Sequence, residues 1–352
     1  MTAPRVSVLL PVRNGMPWLP EALASLTSQT FAAIEILALE DGSTDATPEV
    51  LASWPDARLR TIRTGGIGIG AALAVGLREA RAPLVARQDA DDSSMPHRLE
   101  REVTFLDRYP HVDLVGCVAE YVDERGRPLE NDWVRTVRAQ QDVAVTPAQI
   151  RDLMPLTCCL THGSIVARAD VLRAAGGYRA ETVPAEDYDL WLRLLPHGEL
   201  AKLPERLYRY RVHAGQASAQ AKPDQIRQTI AAKLAYLRRR CPGLPPEARL
   251  AIVGTGTGAL YYAAEAPRHG FIPVGDPPAL RRERLPSLVR PRLRRRAFDG
   301  FDAIVVSNLT ALEPYRTMFC ADNGEQGLVR IGNFFVKPAC LHAREAGREG
   351  AA

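Results

Sequence analysis

Over its first hundred residues the chain alternates short apolar runs with longer stretches of helical period, and a mostly parallel α/β sheet is the architecture that accommodates that alternation. Residues 6–10, 34–39, 59–62 and 83–86 read as strands. Residues 17–29, 47–54 and 71–80 read as the helices between them, the second starting at Thr47-Pro48. A helix over 96–109, strands over 112–118 and 164–167, and helices over 169–175, 187–195 and 223–240 follow. Three prolines and a glycine in 241–247 mark a boundary, after which strands are expected over 250–253, 303–306 and 328–331. The predicted organisation is a domain over 1–240, a linker over 241–247, a small domain over 248–338 and a flexible tail over 339–352.

Open α/β sheets bind ligands at the carboxyl ends of their strands, and acidic residues collect there. Pro11-Val12-Arg13-Asn14 follows the first strand and Glu40-Asp41-Gly42-Ser43 the second, which suits a nucleotide pocket as well as a pair of capped turns. Asp89-Ala90-Asp91-Asp92 follows the fourth. Carboxylates so crowded repel unless a hard cation such as Mg²⁺ or Mn²⁺ sits among them, often with substrate phosphates, although an acidic turn in water has the same sequence. Glu186-Asp187 opens a helix, where the dipole favours carboxylates and where one could also act as a general base toward a hydroxyl.

Taken in order, PVRNG (11–15), LEDGSTDAT (39–47), ARQDADD (86–92), the stretch 96–116, HGSIVARADVLRAAGGY (162–178) and EDYDLWLRL (186–194) resemble the successive blocks of the family 2 glycosyltransferases. The resemblance covers residues 6–218. It implies an α/β chain with the GT-A nucleotide-diphospho-sugar transferase fold, a mostly parallel mixed sheet flanked by helices. It further implies an inverting transfer of a sugar from a nucleotide-sugar donor to a hydroxyl of a glycan or lipid-linked acceptor, in cell-surface polysaccharide assembly. Matched residue by residue, it implies that Pro11, Val12 and Asp41 hold the nucleobase end of the donor and that Asp89 meets the ribose or the cation. Asp91 and His213 would ligate Mn²⁺ or Mg²⁺, and Asp187, paired with Glu186, would be the catalytic base. Two departures stand out. The segment Gly65-Gly66-Ile67-Gly68-Ile69-Gly70 runs into Leu73 and Ala74 where relatives carry Arg and Asn, and Gln88 replaces an apolar residue.

The second domain opens with Gly254-Thr-Gly256-Thr-Gly258-Ala259 after a strand, with Asp276 standing 22 residues beyond Gly254. That is the spacing of a dinucleotide-binding turn in a small Rossmann-like α/β domain, so NAD(P) binding by Gly254, Gly256 and Asp276 is one reading and tight helix packing the other. The corresponding functional alternative is an oxidoreductase or regulatory protein acting through this module.

A net charge of +4 (45 − 41) gives no reason to expect a nucleic-acid partner. Eight arginines and one glutamate in 281–296 form a local exception, which as a further alternative a non-catalytic scaffold could use to bind a partner or an anionic membrane surface. The longest uncharged apolar-leaning run, 251–264, is too short to span a bilayer, and no secretory signal is read at the start. A cytoplasmic protein, in part peripheral to the inner face of the membrane, is therefore expected. Six scattered cysteines suggest reduced structural thiols.

Overall fold

The computed structural model describes residues 3–142, 144–216, 222–254, 257–275, 300–307, 329–331, 333–336 and 338–341. They fall into two compact units, residues 1–221 and 222–352.

The first unit is built on strands β1 (Val6–Val12), β2 (Ile34–Glu40), β3 (Leu59–Arg63), β4 (Leu84–Arg87), β5 (Ser93–Ser94), β6 (Leu114–Val122), β7 (Val166–Arg168) and β8 (Leu200–Arg211). They form one mixed sheet in the order β3-β2-β1-β4-β7-β6-β8-β5. The β3-β2-β1-β4 half is parallel, β7 is antiparallel to both β4 and β6, and β8 again runs parallel to β6. β1 and β2 are buried along their whole lengths, and both read as mainly apolar runs, interrupted by Ser7 in the first and by Glu35 in the second.

Val6, Val8 and Leu10 of β1 share one core with Leu19, Leu23 and Leu26 of α1 (Leu19–Thr27) and with Leu99, Val103 and Leu106 of α4 (Arg98–Arg108). Helix α2 (Thr47–Ser53) adds Leu51 to it. The opposite face receives α3 (Ile69–Glu79), whose Gly76 lets the helix close on Leu9 and Leu39: a Cβ there would meet Leu39 Cδ1 at 2.7 Å and Leu9 Cδ2 at 3.1 Å. Leu73, one of the two departures in this segment, is fully buried on this helix.

Residues 120–160 carry the end of β6 and helices α5 (Asp132–Gln141) and α6 (Pro147–Leu153). Asn131 caps the first of these through Val134 N, and Thr146 with Gln149 makes a capping box on the second. Helices α7 (Ala169–Ala174) and α8 (Glu186–Leu194) complete the unit.

In the second unit a five-stranded sheet has the order β10-β9-β11-β13-β12 among the described residues. Its members are β9 (Ala248–Val253), β10 (Phe271–Val274), β11 (Ala303–Val306), β12 (Val329–Ile331) and β13 (Phe334–Val336). β9 runs parallel to β10 and β11, and β13 is antiparallel to its neighbours.

The helix Lys222–Arg240 packs in this unit, against the helix Thr257–Glu265 and the turn Ala266–His269. The break therefore precedes that helix instead of falling at 241–247. Arg238 explains the difference: it donates to His269 O (3.0 Å) and Pro246 O (2.8 Å) and lies 4.0 Å from the Phe271 ring centroid, so the proline-rich turn is tied to the helix before it. Gly254 has φ +111° at the end of β9, and a Cβ on Gly258 would lie 3.1 Å from Ser307 O. The strand Ala248–Val253 and the helix Thr257–Glu265 thus flank the glycine segment. Gly256, Asp276, the basic segment 281–296 and most of the tail lie outside the described residues. No helix among the described residues is long and apolar enough to cross a membrane.

Candidate active site

The carboxyl ends of β1 and β2 are laced together before any ligand is considered. Asn14 N donates to Ser43 Oγ (3.0 Å), Thr44 N to Asn14 Oδ1 (2.8 Å), Gly15 N to Thr47 Oγ1 (2.8 Å) and Met16 N to Asp45 Oδ2 (3.0 Å). Pro11 and Val12 are buried, and Val12 carries its side chain into the core, so these two shape the floor of the cleft. Asp41 turns toward the loop between β3 and α3. Its Oδ1 accepts from Thr64 Oγ1 (2.6 Å), Gly66 N (2.9 Å) and Ile67 N (2.8 Å), and its Oδ2 from Gly68 N (2.8 Å). Burial raises the Asp41 pKa, but the Thr64 hydroxyl and three amides outweigh it and hold the carboxyl below its ordinary range. Gly66 and Gly68 have φ +86° and +88°, which lets their amides turn inward on one carboxylate.

The acidic turn after β4 is stitched to β8, an element the sequence did not disclose. Tyr208, fully buried, accepts from Asp89 N (3.1 Å); Arg211 N donates to Asp92 Oδ1 (2.7 Å), and Arg211 Nε to Asp91 O (2.8 Å). Arg211 also meets Glu21 Oε2 at 2.6 Å and stacks over Trp18. His213, just past β8, places Nε2 2.9 Å from Asp91 Oδ2, with its ring 4.1 Å from that of Trp18. Burial, and then the charges of Asp91 and Asp89, push Asp92 well above the carboxylate range.

Glu186 and Asp187 occupy the first turn of α8, where Asp187 Oδ1 accepts from Tyr188 N at 2.6 Å. Burial raises Asp187 to about 6, with Asp89 adding to the shift and the Tyr188 amide and Arg87 opposing it. Burial followed by the charge of Asp187 raises Glu186 to about 7. On the far side of the helix Asp189 pairs with Arg193 at 2.8 Å, and Arg193 Nη2 donates to Gly177 O (2.7 Å), so α8 is anchored to the turn that follows α7.

The short 3₁₀ turn His162–Ser164 closes the site from below. His162 Nε2 lies 3.0 Å from the Tyr178 hydroxyl, and burial, followed by the positive charge of Arg87, holds the imidazole well below its usual pKa. Gly163 admits no side chain: a Cβ would fall on the Tyr208 hydroxyl and 2.7 Å from Asp89 Oδ2. Beneath it, Arg98 is completely buried and donates to Gln88 Oε1 (3.2 Å), Ser94 Oγ (2.8 Å), Gly163 O (2.9 Å) and Arg87 O (2.8 Å). Gln88, the other departure, is a buried member of this network.

The predicted residues thus fall into three groups: Asp41 on the glycine loop, Asp89 and Asp91 with His213, and Glu186 with Asp187. The chemistry of the Asp91–His213 pair fits a hard divalent cation. In the structure the two side chains are hydrogen-bonded to each other at 2.9 Å, and the carboxylate is the ligand type that suits Mg²⁺ or Mn²⁺. Among the described residues no cluster of three or more His, Cys, Asp or Glu side chains could hold a metal ion. Arg87, Arg98, Tyr208 and Arg211 were not singled out from sequence; a basic or aromatic residue inside a strand or helix carries no mark of what it will face.

Comparison with known proteins gives a consistent result. Residues 7–173 match the sequence model of Glycosyl transferase family 2. EpsE of Bacillus subtilis (strain 168), named as a glycosyltransferase, is 33% identical over 218 residues, 60% of this chain and 74% of EpsE. The amylovoran biosynthesis glycosyltransferase AmsE of Erwinia amylovora is 30% identical over 203 residues, 55% of this chain and 70% of AmsE. Among solved structures, S. aureus TarS 1-349 in complex with UDP-GlcNAc superposes with a TM-score of 0.54 at 20% identity, over 66% of each chain. The mannosyltransferase PcManGT from Pyrobaculum calidifontis, in complex with GDP-Man and Mn²⁺, gives 0.52 at 20% identity, over 75% of this chain and 70% of that one. The sheet order, the placement of the acidic turn and these likenesses agree: the chain belongs to glycosyl transferase family 2, a glycosyltransferase built on the GT-A fold.

Proposed function

We propose that the chain is an inverting, metal-dependent glycosyltransferase that moves a sugar from a nucleotide-sugar donor to a hydroxyl of a glycan or lipid-linked acceptor in cell-surface polysaccharide assembly. The observation that carries this reading is the division of the acidic residues into two groups with different chemistry. Asp91 and His213 form a carboxylate–imidazole pair, whereas Asp187 sits on α8 with its pKa raised to about 6. Such a carboxylate is about nine-tenths ionised at pH 7 and a stronger base than an ordinary aspartate, which suits it to take the proton of an attacking hydroxyl. Attack from the face opposite the leaving group inverts the anomeric carbon.

Asp91 and His213 would hold Mn²⁺ or Mg²⁺, which when bound neutralises negative charge on the departing nucleoside diphosphate. Asp41 keeps the β3–α3 loop folded at the nucleobase end, and Asp89, fixed by the Tyr208 hydroxyl at its amide, faces the ribose. The donor class is supported by the UDP-GlcNAc and GDP-Man complexes of the two similar structures and the role in polysaccharide assembly by the name of AmsE.

Asp187→Asn tests the reading. Transfer is expected to fall by about 10²–10⁴-fold while UDP or GDP still binds with Mn²⁺. In the parent protein kcat/KM should rise as pH climbs through about 6, because the base must be deprotonated, and full transfer by Asp187→Asn would remove the assignment.

A further inference from the structure

The glycines at 65, 66, 68 and 70 mark this chain off from its relatives, and the last of them owes nothing to backbone conformation. Gly65, Gly66 and Gly68 take φ of +80°, +86° and +88°, whereas Gly70 lies buried in the first turn of α3, a helical position that alanine would ordinarily serve better. Space explains it. A Cβ at Gly70 would stand 2.8 Å from Val183 Cγ2, 3.0 Å from Arg179 O and 3.2 Å from Ala180 Cα. All three atoms belong to the segment between α7 and α8, which therefore rests directly on the head of α3. Two of them are backbone, which cannot swing aside as the end of a side chain can. The segment then runs straight into the acidic pair. Thr182 Oγ1 donates to Arg179 O (2.8 Å), Ala185 N to Thr182 O (2.8 Å) and Asp189 N to Ala185 O (2.9 Å), and Glu186 and Asp187 are the first two residues of α8. On the other side, the amide of Gly68, the N-cap of α3, is held by Asp41 Oδ2 at 2.8 Å. The far end of α3 is tied to the same region, Arg173 of α7 donating to Leu77 O (3.0 Å) and Ala80 O (2.9 Å).

We propose that Gly70 is a positioning residue for the transfer: by admitting the Arg179–Val183 segment against the first turn of α3, it sets the distance between the loop that Asp41 holds and the carboxylates at the head of α8. This rests on Asp187 being the base. α3 is then a strut between the two halves of the site, with Gly70 at its point of contact. A methyl group there displaces the segment by a few tenths of an ångström, and the head of α8 moves with it, because only Pro184 and Ala185 intervene.

Amide hydrogen exchange of the full chain, read by mass spectrometry, tests this without any ligand. In Gly70→Ala the amides within 182–189 should exchange about three- to tenfold faster, because the bonds that lead the segment into α8 are stretched, while amides 66–68, held by Asp41, keep the parent rate. Gly76→Ala is the control. Its Cβ is as crowded on the same helix, but against Leu39 and Leu9 of the sheet, so it should loosen α3 and speed 182–189 by less than a third as much, on the order of the parent rate. UDP and GDP should bind Gly70→Ala with Mn²⁺ within about threefold of the parent. With UDP-GlcNAc and GDP-mannose as probes and water as acceptor, kcat for whichever is turned over should fall about tenfold at unchanged KM, the cost of a sub-ångström misplacement of the base. Parent-like exchange at 182–189, equal acceleration by Gly76→Ala, or faster exchange with kcat unchanged overturns the inference while leaving the base assignment intact. Full transfer by Asp187→Asn overturns both.

Discussion

Replacing Asp41 by asparagine changes one atom, yet the structure assigns it a definite cost. Three donors converge on Oδ1 and one, Gly68 N at 2.8 Å, on Oδ2. If the amide oxygen of the substituted side chain keeps the first three, its NH₂ faces the Gly68 amide donor to donor. One charge-assisted bond is then lost and three are weakened, about 2–3 kcal/mol in all. For a unit of this size that is roughly 5–10 °C in melting temperature. The pH dependence follows from the sign of the shift. The folded pKa lies below the ordinary value, so the charge stabilises the fold above about pH 4 and that contribution is lost as pH falls through the folded pKa. The gap between parent and Asp41→Asn, followed by circular dichroism, should be full at pH 7 and close toward pH 3. A gap under about 1 °C at pH 7, or one unchanged at pH 3, would show that the carboxylate does not hold the glycine loop.

Other positions give independent tests. Gly163→Ala pushes a methyl onto the Tyr208 hydroxyl and Asp89, and should cost about 1–3 kcal/mol and at least a tenfold loss of transfer; parent-like turnover would refute the crowding. His213→Ala should weaken Mn²⁺-dependent UDP binding by at least about tenfold in calorimetric titration, whereas unchanged binding would take the histidine out of the cation site. Arg193→Met strands a buried Asp189 and should lower stability by about 3–5 kcal/mol in urea unfolding, a shift below about 1 kcal/mol arguing against the anchor on α8.

Much of the parallel half of the first unit was legible because β1, β2 and β4 are buried along their lengths and so leave mainly apolar runs. The residues 223–240 were read as helix, yet their packing partner was not readable, since a proline-rich turn looks the same inside a unit as between two. β8 escaped detection for a different reason. Its sequence LAKLPERLYRYR carries a proline and five charged residues, and it becomes a strand only because β6 and β5 pair with it. With it went Tyr208 and Arg211, which bind the acidic turn from beneath. The helices within 120–160 did leave a signal: Thr146-Pro147 with Gln149 is a capping box, and Asn131 an N-cap. The acidic residues themselves were found because carboxylates at strand ends are conspicuous, while the buried arginines that steady them look like any other arginine in an arginine-rich chain.

The pairing of β8 with β6 is not uniform. Cys117 stands opposite Leu203, Val118 opposite Arg206 and Ala119 opposite Tyr208, so the strand slips forward twice across Pro204–Leu207 before regular pairing resumes. Everything downstream inherits that phase: the Tyr208 hydroxyl at the amide of Asp89, Arg211 Nε at the carbonyl of Asp91 and His213 beside the Asp91 carboxylate. The three side chains consequently behave as teeth cut on one rack. Loss or gain of a single residue in the slipped stretch would move them all by one step and exchange the faces they occupy, undoing the cation pair and the floor of the site together, although none of the residues in the stretch touches either.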